Sequence, residues 1–327
     1  MLINFQDIIG QERGKNLLTA CCSNQKISHA YLFRGPAGVG KKSLARAFAA
    51  LVNCIAANGN QVCGTCSSCL KFKSGSHPDF LHIQASGAYI KIDQIRDLKK
   101  LLNYAPFEGK YRVILIDDIH QNLKGKEAAN SLLKSLEEPP PYSIFILTAD
   151  EAGEVLPTIF SRCQVIPFYP LPHEEVVRRL EAEGIDRPAA LALTGLSEGS
   201  LGRAFLLANR EILDLRREIV ETLVFGNDNP DLDRIFRLSD KAAALKEDAE
   251  RLLDLLANWL RDVILAGQGL NGRLINLDLQ KLTTRAVKRW NHRAMLEKLD
   301  FIQMARKQLR RNCNSGLVFE VLFFDLL

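Results

Sequence analysis

The chain has 327 residues, enough for two or three domains, and its 47% apolar and 25% charged residues are ordinary for a globular protein. A net charge of +5 permits a nucleic-acid partner without demanding one, and no stretch approaches the ~20 apolar residues that span a bilayer. The start, "MLINFQDIIGQERGK", lacks a secretory pattern, so the expectation is a cytoplasmic chain, off the membrane, whose eight cysteines stay reduced.

In chain order, "AYLF" (Ala30 to Phe33) reads as an apolar strand. "GPAGVGKKS" and an apolar helical pattern follow at once. Strand, glycine-rich turn and helix form the context of a phosphate loop, with Gly35, Pro36, Ala37, Gly38, Val39, Gly40, Lys41, Lys42 and Ser43 as the candidate cradle. Its glycines let backbone N–H groups converge on phosphate oxygens, the helix N-terminus adds partial positive charge, and Lys41 reaches the terminal phosphates. Binding and hydrolysis are separate questions. The residue after the loop lysine is ordinarily Ser or Thr, whose hydroxyl holds Mg²⁺, and here it is Lys42. Ser43 lies one step on, about 100° around the helix, and faces away from such a metal. The second positive charge favours phosphate without Mg²⁺.

Cys54, Cys63, Cys66 and Cys69 follow the helix. Two overlapping C-x-x-C spacings and one upstream cysteine give four thiolates, the closed tetrahedral set of a structural Zn²⁺ site with no open catalytic position. Gly59 and Gly64 suit the tight turns of such a knuckle. A redox C-x-x-C would need only two cysteines at a helix start. Cys21, Cys22, Cys163 and Cys313 have no such pattern and read as core or incidental thiols.

Next come a strand at "DFLHI" (Asp79 to Ile83) and a helix with Ile92, Ile95, Leu98, Leu101 and Leu102 at helical spacing. The strand "RVILID" (Arg112 to Asp117) ends on a carboxylate beside the phosphate loop, where a metal-bound water could be held. The following residue is Asp118, one methylene shorter than the glutamate that polarises water in many ATPases of this type. Lys42 and Asp118 both weaken the case for hydrolysis. "SIFILTAD" (Ser143 to Asp150) and "QVIPF" (Gln164 to Phe168) are further strands, and the alternation predicts a parallel sheet covered on both faces. Arg162 precedes the last strand, and Arg203 lies near a helix start in "SEGSLGRAF". Either is an ordinary surface arginine or one lent to a phosphoryl-transfer site. Beyond "YPLP" everything reads helical, which gives an α/β domain over 1–168, a small helical domain over 169–209 and a helical domain over 210–327. No acidic palm-like pair of a polymerase is visible.

"FQDIIGQE", "HAYLFRGPAGVGKKSLA", the four-cysteine insert, "HPDF", "NSLLKSLEEPP", "LPTIFSRCQ" and "GSLGRA" together resemble the clamp-loader branch of the AAA+ ATPases of bacterial DNA polymerase III. The match is to its delta-prime type more than to its ATP-hydrolysing gamma/tau type, which has Thr after the loop lysine and Glu after the acidic strand's Asp. The resemblance implies an AAA+ domain with a zinc insert, a helical lid and a C-terminal collar that holds a hetero-pentamer with gamma/tau and delta subunits. It implies that the assembly opens a sliding clamp and places it on primed DNA. It further implies that Arg162 is an arginine finger acting on ATP of the adjacent subunit, that Thr148 stands at sensor 1 and that Arg203 stands at sensor 2. This chain is then not itself a polymerase, although its holoenzyme is a nucleotidyltransferase, and its own ATPase is weak or absent. Delta-prime-type chains vary in how much of the loop they keep, so ATP and Mg²⁺ binding stays open. A gamma/tau-type clamp-loader ATPase subunit, a stand-alone AAA+ ATPase and an architectural adaptor are the alternatives.

Overall fold

The computed structural model describes residues 4–86, 89–123, 126–150, 155–226, 232–311 and 313–327. The chain divides into two compact units, Met1–Pro172 and His173–Leu327. The first opens with α1 (Glu12–Ser23), β1 (Ala30–Arg34), α2 (Lys41–Asn53) and α3 (Ser67–Ser74). It continues with β2 (Phe80–Ile83), α4 (Ile92–Leu102), β3 (Arg112–Ile116), α5 (Ile119–Asn122), α6 (Lys126–Glu137), β4 (Ser143–Ala149), α7 (Pro157–Phe160) and β5 (Gln164–Pro167).

The five strands form one parallel sheet in the order β2-β3-β4-β1-β5. Side chains alternate across a strand, so each apolar run feeds two cores. Tyr31, Phe33, Val113, Leu115, Ile144 and Ile146 point to the face where α2 packs Leu44, Ala45 and Phe48. Leu32, Ile114, Ile116, Phe145 and Leu147 point to the other, against Ile95, Leu98 and Leu102 of α4 and Leu132 and Leu136 of α6. This is the expected doubly covered α/β sheet. Strand bounds differ from the sequence reading by one residue: β1 runs on to Arg34, β2 starts after Asp79, and β3, β4 and β5 stop before Asp117, Asp150 and Phe168. The three aspartates are where polar side chains leave the ladder for other partners. Leu101, expected on the apolar face of α4, is half exposed, because Leu98 and Leu102 already fill the stripe facing the sheet.

The second unit is all helical among its described residues: α8 (His173–Ala182), α9 (Arg187–Ser197), α10 (Leu201–Leu207), α11 (Arg210–Phe225), α12 (Leu232–Ala244), α13 (Ala249–Gly267), α14 (Gln280–Arg289), α15 (His292–Arg310) and α16 (Ser315–Leu326). Trp259 is fully buried on α13, edge-on to Trp290 at 5.8 Å. No helix among the described residues is long and apolar enough to cross a membrane.

Candidate functional site

In a parallel sheet the crevice outside the carboxyl ends of the strands is where ligands bind, and the polar groups of the first unit gather at those ends. The loop after β1 passes so close to Phe168 that a Cβ on Gly35 would lie 2.3 Å from its carbonyl oxygen, which restricts the position to glycine. Lys41 opens α2 and is almost fully buried. Its Nζ donates to Gly35 O and, at 3.0 Å, to Pro36 O, and pairs at 3.0 Å with Asp150 just after β4. His120 stands behind that aspartate, its Nδ1 accepting from the Asp150 backbone N–H at 3.4 Å.

Lys42, the residue that breaks the usual loop pattern, does not point idly into solvent. Its Nζ is 2.7 Å from Asp117 Oδ2 and 4.0 Å from Asp118 Oδ2. His82 of β2 brings Nε2 to the same Asp117 oxygen at 2.8 Å. Burial alone would raise the Asp117 pKa, but hydrogen bonds from His82 and Lys42 outweigh it and hold the carboxyl below the ordinary range. The other oxygen, Oδ1, is buried with no hydrogen-bond partner among the described residues. Asp118 sits in the left-handed region at φ 45°, where its backbone N–H donates to Thr148 Oγ1 at 2.9 Å and that hydroxyl donates back to Asp118 Oδ1 at 3.3 Å. Lys42, Asp117, Asp118 and Thr148 therefore form one cluster, and Lys41, one residue earlier on α2, pairs with Asp150. A phosphate fits this end of α2. A Mg²⁺ does not fit: the position that should offer it a hydroxyl offers an ammonium, and that ammonium already holds the strand-end carboxylate.

Sequence reading missed His82, His120 and the two lysine–aspartate pairings. The available signal was positional: His82 lies near the carboxyl end of β2, and Asp150 follows β4 as Asp117 follows β3.

Arg162 lies apart from these groups, just after α7. Its Nη1 donates to Thr158 O at 2.8 Å and to Ser161 Oγ at 3.2 Å, and its Nη2 pairs with Glu137 Oε1 at 2.6 Å. A third of the side chain remains exposed, at 33%. Arg203 belongs to the second unit, where the Ser200 hydroxyl caps α10 by accepting its backbone N–H at 3.1 Å. Its Nη1 is 3.6 Å from Glu198 Oε2.

The four cysteines converge. One sulfur from each lies within 4.8 Å of all the others. A tetrahedron with ~2.3 Å Zn–S bonds has edges of about 3.8 Å, and the Cys54–Cys69 and Cys63–Cys69 separations are 3.6 Å and 3.9 Å. Gly59 and Gly64 take φ values of 60° and 74°, which turn the chain back on itself as expected. Cys66 caps α3, and backbone N–H groups of Cys63, Cys66 and Cys69 point at sulfurs of Cys54, Cys63 and Cys66. Backbone N–H groups of Thr65 and Cys66 pull the Cys63 thiol down to about 5, while burial pushes Cys69 up. The donor set fits a metal. By contrast, burial raises Cys22 to about 11 and Cys163 to about 12, as inert core thiols require.

Beside the knuckle, fully buried Asp79 accepts backbone N–H bonds from Phe107 (2.7 Å), Glu108 (2.9 Å) and Gly109 (2.8 Å), with Arg112 at 3.3 Å. Burial alone would raise its pKa, but these donors outweigh it and lower it. His77 stacks on Phe72 at 4.2 Å and reaches Ser68 Oγ at 3.2 Å, and burial lowers its pKa. The "HPDF" segment is thus structural.

Family models for "DNA polymerase III, delta subunit" match residues 10–172, and for its C-terminal part residues 212–327. The chain is 29% identical to DNA polymerase III subunit delta' of Bacillus subtilis, over 94% of each protein. It is also 29% identical to subunit tau of that organism, over 97% of this chain but 60% of tau, so it spans less than two thirds of that relative. A gamma subunit-related protein from Thermotoga maritima superposes with a TM-score of 0.48 at 20% identity, covering 97% of this chain and 98% of that one. Matched in both halves by models of one polymerase subunit and along nearly its whole length by a delta' protein, the chain belongs to the DNA polymerase III clamp-loader family.

Proposed function

We propose that the chain works as a delta'-type clamp-loader subunit that does not run its own hydrolytic cycle and lends Arg162 to a neighbouring subunit's ATP. The observation that carries this reading is the Lys42–Asp117 pair, which puts an ammonium where a catalytic Mg²⁺ would be held. Arg162 supports it: the side chain is part exposed and anchored at a surface turn by Thr158 O and Glu137, free to re-pair with phosphate when a neighbour docks. In the same reading Thr148 and Arg203 keep the sensor positions, 1–168 is the AAA+ domain, 169–209 the lid and 210–327 the collar. The last helix supports the collar. α16 is apolar nearly all round, burying Val318, Phe319, Leu322 and Phe323 while leaving Leu317, Val321 and Phe324 exposed on its other side. Gamma/tau and delta subunits are the proposed partners, and the assembled loader opens a sliding clamp on primed DNA. Zn²⁺ is the proposed metal of Cys54, Cys63, Cys66 and Cys69, where it would lock the knuckle against the sheet domain.

The test is ATP hydrolysis by a reconstituted, clamp- and DNA-stimulated loader carrying Arg162→Ala in this chain alone. A fall on the order of 10³ is expected if the finger serves a required site. An unchanged rate removes the finger and leaves an architectural subunit.

A further inference from the structure

The chain's net charge of +5 is concentrated in one place. From Leu279 to Leu296 it carries five lysines and arginines and no Asp or Glu, so the rest of the chain is balanced. We propose that α14, which carries four of the five, is a surface that binds the phosphate backbone of DNA without reading its sequence.

Pairing sets this helix apart. Elsewhere helical cations find carboxylates: Arg96 and Lys100 on α4, Arg179 on α8, Lys241 on α12, Arg306 and Arg310 on α15. On α14 no described carboxylate pairs with Lys281, Arg285, Lys288 or Arg289. Arg285 lies over the Phe225 ring at 4.6 Å, and Arg289 donates to the carbonyls of Val224, at 3.1 Å, and Gly226, so neither charge is neutralised. Lys281 and Lys288 are exposed. The flanking acids are engaged elsewhere: Asp278 is buried against Arg216, and Glu297 takes Arg293 at 2.8 Å. The helix dipole does not explain the pattern. It favours Lys288 and Arg289 in the last turn, but Lys281 stands in the first turn, where a cation is disfavoured.

Lys281, Arg285 and Lys288 fall at i, i+4 and i+7, on the face opposite buried Thr283 and Ala286. They span about 10 Å of helix axis, the length of about three phosphates along a DNA strand. α14 exposes no large apolar side chain and has no aromatic residue. An acidic peptide would need a pocket for an anchor residue, and a base would need a ring to stack on, whereas phosphates ask only for cations.

The experiment is fluorescence anisotropy of the purified full chain with a labelled single strand and a labelled duplex of about thirty nucleotides, at about 50 and 200 mM salt. Wild type should bind both, weakening steeply with salt. Lys281→Glu with Lys288→Glu should weaken binding about tenfold or more at the lower salt, and Lys281→Gln with Lys288→Gln should flatten the log–log salt slope by about two. Arg178→Glu with Arg237→Glu makes the same change in net charge as the glutamate pair, at exposed positions of α8 and α12, and should leave affinity within about twofold. Four results overturn the proposal: both α14 pairs bind as wild type, the control pair weakens binding as much, wild type fails to bind at the lower salt, or poly-glutamate competes as well as DNA. A loss confined to one DNA form supports the surface and names that form. The glutamine pair decides if the glutamate pair misfolds. Every outcome leaves the Arg162 reading standing, since hydrolysis tests that.

Discussion

Single buried charges hold this domain's loops in place, and they make its stability sensitive to acid. Asp79 and Asp117 have native pKa values below the ordinary carboxylate value of 3.8, so the unfolded chain binds their protons first as the pH falls. Their contribution is complete above that value and disappears as the pH drops through the lower native ones. His77 is also depressed, from an ordinary 6.5, because burial disfavours its charged form. The unfolded state therefore gains its proton first too, and stability declines from about pH 6.5 downward. Thermal midpoints between pH 7 and pH 3 should fall in those two stages. Asp79→Ala is the sharper probe. It leaves three backbone N–H groups without their acceptor and the buried Arg112 guanidinium without this carboxylate, though still bonded to the carbonyls of Leu101, Tyr104 and Ala105, and should cost about 3–5 kcal/mol by denaturant unfolding. The position of Asp79 was visible in the sequence, but its partners were not, because they come from a loop some thirty residues away. The Lys42–Asp117 contact was hidden for the same reason: the sequence reading placed the two residues side by side without showing that one neutralises the other.

At the scale of elements, the sheet was the most legible part. β1, β3 and β4 are short apolar runs buried on both faces that end before Gly35, Asp117 and Asp150, while the edge strands β2 and β5 are only partly buried. Helices buried on one face were legible by period, but α3 and the four-residue α5 and α7 were not. α3 is fixed by cysteine placement and the Cys66 cap, and the single turns α5 and α7 are too short to show an apolar period. The knuckle was legible because metal-ligand spacing is local. It also makes a checkable claim: elemental analysis of the purified chain should find about one Zn²⁺. Cys66→Ser should abolish retention, loosen α3 at its cap and lower the thermal midpoint, as prolonged chelation should. Metal-free protein of undiminished stability would remove zinc from the account.

At the scale of the whole molecule, the second unit was legible as helical from its amphipathic patterns, but one part of its surface does not follow them. The exposed Leu317–Val321–Phe324 stripe of α16 is the surface that the proposed collar would cover. Leu317→Glu with Val321→Glu should leave the helical content of the isolated chain unchanged and reduce its co-elution with the other loader subunits on size exclusion. Co-elution equal to wild type would take α16 out of the collar. The strand order has a different consequence, one that concerns synthesis. β1 pairs only with β4 and β5, and Ala30 meets its partner Phe145 across more than a hundred residues of sequence. At about 5–20 residues per second on the ribosome, β1 and the phosphate loop wait on the order of ten seconds for a neighbour. The four thiols span only Cys54 to Cys69, so they can gather a metal while the sheet is still missing its centre. Birth order then assigns the knuckle a second part, as the first fixed corner against which α2 and, later, the returning strands can settle.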